Sequence, residues 1–233
     1  MSASSAPHQG AASAISAVRL VLFDLDGTLA DTAPDLVAAI NGCLQSRGLP
    51  PRPFAELRGW ASHGARGLIG EAFGLAPGEP GFDDIRREFL ERYQRDLCVQ
   101  TRLFDGVAQL LERLEAAGLR WGIVTNKVTH LTTPLVQALG LNQRAACVVS
   151  GDTAARAKPH PDPIEHALQA CGQPARASVY VGDDLRDIQA GRAAGVRTFA
   201  AAYGYSAERE DVLGWEADHV LQAPQDLLAY VLP

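Results

Sequence analysis

The chain has 233 residues, 47% apolar and 21% charged, the make-up of an ordinary globular protein with room for one domain carrying an insertion or two small ones. A net charge of −6 with no basic run argues against nucleic acid as a partner, and no apolar run is long enough to span a bilayer. Four scattered cysteines (Cys43, Cys98, Cys147, Cys171) form no C-x-x-C, which suits reduced thiols in the cytoplasm better than a disulfide scaffold or a zinc site.

Residues 1–17, rich in Ala and Ser, lack the basic start and apolar centre of a signal peptide and read as a flexible tail. Strand-length apolar runs then recur: "VRLVLFDLD" (18–26), "LRWGIVTN" (119–126), "AACVVSGD" (145–152), "SVYVGDD" (178–184) and "VRTFAAAYG" (196–204). Between the later runs lie stretches of helical periodicity, 105–118, 130–140, 162–172 and 185–195, several ending in Gly as helix C-termini do. Strands apolar on both faces and alternating with helices predict an α/β fold, a Rossmann-like parallel sheet with helices on both faces. Residues 33–103 break the alternation with helical patterns only and predict an inserted all-helical cap. The α/β core is then 18–32 plus 104–233.

In an open α/β sheet, ligands bind beyond the carboxyl ends of the strands. At those ends stand Asp24 and Asp26, Thr125 and Asn126, Asp152, and Asp183 and Asp184, with Lys158 following in "AKPHPDP". Each alone is explicable as a helix cap or turn residue; a whole rim of them is not. Crowded carboxylates repel, and a hard divalent cation such as Mg²⁺ relieves the repulsion while leaving positions for phosphate oxygens. Asp24 and Asp26, one residue apart, would point to opposite faces of a regular strand. For both to serve one ligand the chain must turn at or just after Asp26, and Gly27 permits that. Only two of the 21 basic residues are lysines. Lys158 joins the rim, whereas Lys127 is expected to be a surface charge.

The ordered set "DLDGT", "TN", "KP" and "GDDLRD" resembles the haloacid dehalogenase superfamily of aspartate-dependent phosphotransferases. With its helical insertion the chain is similar to the phosphoglycolate phosphatase-like subgroup. Within that subgroup, "GARGLIGEAFG" and "FLERYQRD" most resemble N-acetylmuramic acid 6-phosphate phosphatases. The resemblance implies a Mg²⁺-dependent phosphomonoesterase in which Asp24 attacks phosphorus to form an aspartyl-phosphate. Asp26 protonates the leaving oxygen and then activates water. Thr125 and Lys158 hold the transferring phosphoryl group. The metal would sit on Asp24, the Asp26 carbonyl and Asp183, with Asp187 orienting Lys158 or a metal-bound water. Asp184 stands where relatives often carry a small hydroxyl residue.

Asn126 is expected to bind substrate, and "SHGARG" (62–67) in the cap is expected to face it, through His63, Gly64 and Arg66. The expected partner is a small phosphorylated metabolite, N-acetylmuramic acid 6-phosphate or 2-phosphoglycolate, acted on by a cytoplasmic monomer or homodimer. Two other readings remain open: a sugar phosphomutase on the same core, and a regulatory module switched by aspartate phosphorylation.

Overall fold

The computed structural model describes residues 18–206 and 211–232; the expected tail, residues 1–17, lies outside them. In chain order the strands are β1 (Leu20–Phe23), β2 (Ala30–Asp31), β3 (Arg102–Leu103), β4 (Arg120–Val124), β5 (Val148–Val149), β6 (Ser178–Gly182), β7 (Arg197–Ala201) and β8 (His219–Leu221). Helices α1 (Ala33–Gln45), α2 (Phe54–Arg58), α3 (Gly64–Phe73) and α4 (Phe82–Arg95) lie between β2 and β3. Later come α5 (Val107–Ala116), α6 (Thr129–Ala138), α7 (Asp162–Cys171), α8 (Leu185–Ala193) and α9 (Leu228–Val231).

Six strands pair in the order β5-β4-β1-β6-β7-β8, all parallel. β1 is flanked by β4 and β6, so the chain runs outward to β5 on one side and to β8 on the other. This reversal of direction leaves a crevice at the carboxyl edge of β1. The alternation of side chains explains why β1 is apolar throughout. Val21 and Phe23 pack with α5, α6 and α1 on one face, while Leu20 and Leu22 pack with α7 and Ala190 on the other. The sheet is therefore covered on both faces, as its unbroken apolar strands require.

In the helical segment between β2 and β3, α1 buries Leu36, Val37, Ile40, Cys43 and Leu44, a stripe at three- and four-residue spacing. It packs on α4, whose Phe82, Ile85, Phe89 and Tyr93 form the matching stripe. The strands on either side of this helical segment pair with each other, β2 antiparallel to β3. Tyr205 pins this junction: its hydroxyl accepts from the N–H groups of Thr32 (2.6 Å) and Ala33 (3.0 Å) and lies 2.8 Å from Asp31 Oδ1. The Asp35 carboxylate does the same for the returning chain, accepting from the N–H and hydroxyl of Thr101.

Several elements are shorter than, or missing from, the sequence reading. β5 retains two of the eight residues expected there. The β2–β3 pair, α2 and β8 were not expected at all. Elements of two to five residues are too short for a hydrophobic period to declare them.

Candidate active site

β1 ends at Phe23, and Asp24 continues its ladder by donating its N–H to Val181 O. The Asp24 carboxylate, nearly buried at 8% exposure, stands at the crevice. Beyond it the chain turns, with Ala30 N and Leu29 N both donating to Leu25 O. Gly27 has φ +82, and a Cβ there would lie 2.2 Å from Asp183 Oδ2, so only glycine fits both the turn and its neighbour. The turn brings Asp26 to the same cavity as Asp24.

Lys158 is the cation of this centre. Its buried Nζ lies 3.0 Å from Asp24 Oδ1 and 2.6 Å from Asp187 Oδ1, and reaches Val124 O and the Tyr180 hydroxyl. Burial alone would depress its pKa, but Asp187 and Asp24 more than compensate and raise it. Asp183, fully buried at the end of β6, accepts from the hydroxyls of Thr28 (3.2 Å) and Ser62 (2.8 Å) and from Tyr205 N–H (3.0 Å).

One ammonium faces three buried carboxylates. Asp24, Asp183 and Asp187 each place an oxygen within 4.8 Å of the others. The strain shows in the titration of Asp24 and Asp183. Burial pushes Asp24 up to about 7 despite Lys158, with Asp187 and Asp26 adding to the rise. Burial, then Asp24 and Asp187, hold Asp183 well above the ordinary carboxylate range. Such a surplus of buried negative charge, made of oxygen donors only, fits a hard divalent cation. Asp187 is tied to the lysine and to its own helix start: Oδ1 faces Lys158 and Oδ2 accepts from Asp184 N–H.

Thr125, buried at the end of β4, lines the cavity, and its hydroxyl accepts from Lys127 N–H. Asn126 also lines it, but its amide is spent on the Lys158 backbone: Nδ2 donates to Lys158 O, and Oδ1 accepts from Lys158 N–H, each at 3.0 Å. The expected substrate binder thus fastens the Lys158 loop to β4. His63, Gly64 and Arg66 line the cavity from the cap side.

Two expectations are corrected, those for Asp152 and Lys127. Asp152, read as part of the rim, is exposed and accepts from Thr129 N–H and hydroxyl at the start of α6, so it is a helix cap. Asp184 lines the cavity with the rest of the rim and also caps α8 in a reciprocal capping box with Asp187. Burial works against its ionisation, but a two-pronged bond from Arg186 holds its pKa low. Lys127, read as a surface charge, is buried: its Nζ lies 3.1 Å from Asp26 Oδ1 and 3.2 Å from the Tyr93 hydroxyl.

The sequence reading also missed Ser62 as a partner of Asp183, and Arg186, which donates to Ser62 O at 2.9 Å and so joins α8 to the cap. Arg86 and Tyr93 of α4 were likewise not singled out, yet both line the cavity. The rarity of lysine was the one signal that could have raised Lys127.

The family model for haloacid dehalogenase-like hydrolases matches residues 21–201. The chain belongs to the haloacid dehalogenase-like hydrolases. It is 44% identical over 210 residues to an N-acetylmuramic acid 6-phosphate phosphatase of Pseudomonas putida, covering 90% of this chain and 94% of that one. It is 46% identical over 209 residues to a phosphoglycolate phosphatase of Xanthomonas campestris, with the same coverages. Among solved structures, a predicted phosphoglycolate phosphatase from Haemophilus somnus superposes with a TM-score of 0.81 at 29% identity, over 91% of this chain and 97% of that one. Within this hydrolase family the chain is a phosphoric monoester hydrolase.

The cavity shared by Asp24, Asp26, Thr125 and Lys158 has a volume of about 470 Å³. One wall is apolar, built from Leu36, Phe89, Leu90 and Leu131. The opposite chemistry comes from Arg66 and Arg86, on α3 and α4. Among the described residues neither guanidinium has an ion-pair or hydrogen-bond partner.

Proposed function

We propose that this hydrolase is a Mg²⁺-dependent phosphatase working through an aspartyl-phosphate on Asp24, and that its substrate is N-acetylmuramic acid 6-phosphate. The cavity carries the substrate choice. Its 470 Å³ lies in the range of sites for ligands far larger than a two-carbon phosphate. An apolar wall suits the methyl groups of an acetamido and a lactyl arm, and two arginines with no ion-pair or hydrogen-bond partner among the described residues suit the lactyl carboxylate. Phosphoglycolate is the second reading, favoured by the name of the Xanthomonas relative and by the same two arginines.

In this reading Asp24 attacks the phosphorus in line while Lys158 and the Thr125 hydroxyl hold the equatorial oxygens and stabilise their charge. Asp26 protonates the departing sugar oxygen and then takes a proton from the water that hydrolyses the acyl phosphate. Asp187 keeps Lys158 aimed at the phosphoryl site, and Asn126 fixes its backbone. Mg²⁺ on Asp24, Asp183 and the Asp26 carbonyl would neutralise charge on both the nucleophile and the phosphate. Residues 33–103 act as the substrate-reading cap over the 18–32 and 104–233 core. Four free cysteines fit a cytoplasmic enzyme, and among the described residues no helix is long and apolar enough to cross a membrane.

The test is kcat/KM, with Mg²⁺, for N-acetylmuramic acid 6-phosphate and 2-phosphoglycolate side by side. A preference of tenfold or more for the sugar phosphate is expected. The reverse preference would transfer the assignment to phosphoglycolate, and failure to hydrolyse either would refute both.

A further inference from the structure

We propose that Lys127 is a positioning residue that couples the seating of the cap to the orientation of the Asp26 carboxylate. The inference rests on the role given to Asp26 above, and it assigns work to a residue whose burial the sequence did not reveal.

Lys127 follows β4 in a turn tightly bound to the core. Its N–H donates to the Thr125 hydroxyl, and its carbonyl accepts from Gly151 N–H and the Thr132 hydroxyl. The side chain leaves this fixed base and is 8% exposed. A buried ammonium needs acceptors, and the two it has among the described residues lie on opposite sides of the crevice. One is Asp26 Oδ1 at 3.1 Å, on the core turn after β1. The other is the hydroxyl of Tyr93 at 3.2 Å, on α4 of the cap, with the ammonium also 4.7 Å from that ring's centroid. Tyr93 is itself immobilised, buried and stacked on Phe89.

Asp26 Oδ1 receives a second donor, the Thr32 hydroxyl at 2.5 Å, from the junction between β2 and α1. Two donors on one oxygen fix the plane of the carboxylate. Among the described residues Oδ2 has no hydrogen-bond partner, and it is the oxygen left to meet a leaving group in the cavity. A lysine suits this task because its three donors can serve the core acceptor and the cap acceptor together. When the cap lifts, Tyr93 leaves with it. The ammonium then loses one of its two acceptors, and the hold on Asp26 slackens. Proton transfer to and from Asp26 is thereby confined to the closed site.

The experiment compares two esters, with Mg²⁺, on the wild type, Lys127→Met, Tyr93→Phe and Asp26→Asn. One is the better alkyl ester of N-acetylmuramic acid 6-phosphate and 2-phosphoglycolate. The other is 2,4-dinitrophenyl phosphate, whose leaving group departs without a proton. Lys127→Met should lower kcat/KM for the alkyl ester by about 10²-fold and for the aryl ester by under tenfold, since a positioned acid is worth about that much. Tyr93→Phe should shift the ratio the same way by a few-fold, and Asp26→Asn sets the full scale. Equal losses on both esters in Lys127→Met would mean phosphoryl contact or simple damage to the fold, and would overturn the inference. So would no loss on either. If Asp26→Asn itself fails to discriminate, the acid–base role of Asp26 falls and this inference with it. A discriminating Asp26→Asn beside a non-discriminating Lys127→Met overturns the coupling alone.

Discussion

Lys158 Nζ lies 3.0 Å from Asp24 Oδ1, and this contact holds the one ammonium among three buried carboxylates. Removing one partner of a buried ion pair leaves uncompensated charge, at a cost of about 3–5 kcal/mol. Lys158→Met is therefore expected to lower stability by about 3 kcal/mol in chelator-treated protein at pH 7.5. Mg²⁺ should recover part of that loss, because it supplies positive charge at the same cluster. Denaturant unfolding with and without Mg²⁺ checks both statements, and an unchanged midpoint would contradict the charge balance described here.

Asp24→Asn is expected to abolish turnover, by a factor of roughly 10⁴ or more if the carboxylate is the nucleophile. The variant should fold normally and melt at the same or a higher temperature than wild type without metal, since one member of a repelling buried cluster is gone. Near-normal kcat would remove Asp24 from the nucleophile's role.

The raised Asp24 pKa sets a sign for the pH dependence of stability. Burial moves it from near 3.8 to about 7, so in this window the folded state binds a proton that the unfolded state releases. Its contribution is therefore fully present below pH 3.8 and is lost as pH rises through about 7. Asp183 acts in the same direction. Thermal unfolding of chelator-treated protein should show this pair lowering Tm between pH 5 and 7.5. Mg²⁺ should raise Tm more at pH 7.5 than at pH 5, because the carboxylates must be ionised to bind it. Equal metal effects at both values would argue that the cation binds elsewhere.

Glu88 on α4 shows the opposite sign. Burial is the largest single influence and works against ionisation, but bonds from Arg47, Ser46 and Arg92 together outweigh it and bring the pKa down from 4.5 to about 2. Its stabilisation is present above pH 4.5 and lost as pH falls toward 2. The group is partly solvated, so the effect is small, within about 1 kcal/mol. Glu88→Gln should flatten the acid limb of the stability profile slightly and leave the profile above pH 6 parallel to wild type. A changed slope above pH 6 would show that this clamp between α1 and α4 does something else.

The chemistry at the strand ends could be read in the sequence because its residue types are costly anywhere else. "DLDGT" puts two carboxylates and a glycine where a buried strand stops, and only a ligand site explains them together. Asp152 shows the limit of that logic, since an exposed carboxylate capping α6 is written in the same letters as one in the crevice. Lys127 shows another. Its burial is conferred by Tyr93, 34 residues earlier and on the other side of the crevice, and no local pattern carries that contact. The two-residue strands β2 and β3 were invisible for a simpler reason: neither is long enough to alternate.

Those two short strands have a consequence for how such an enzyme can change. Both ends of the helical insertion leave the core side by side, at Ala30–Asp31 and Arg102–Leu103, through a single doorway one antiparallel pair wide. A segment whose ends are neighbours can be exchanged for another of different length without rethreading the rest of the chain. On the proposed reading, the apparatus that breaks the phosphate ester and the surface that selects its organic part would thus be separable cassettes. A transplant cut at this doorway is the shortest route from one substrate to the next.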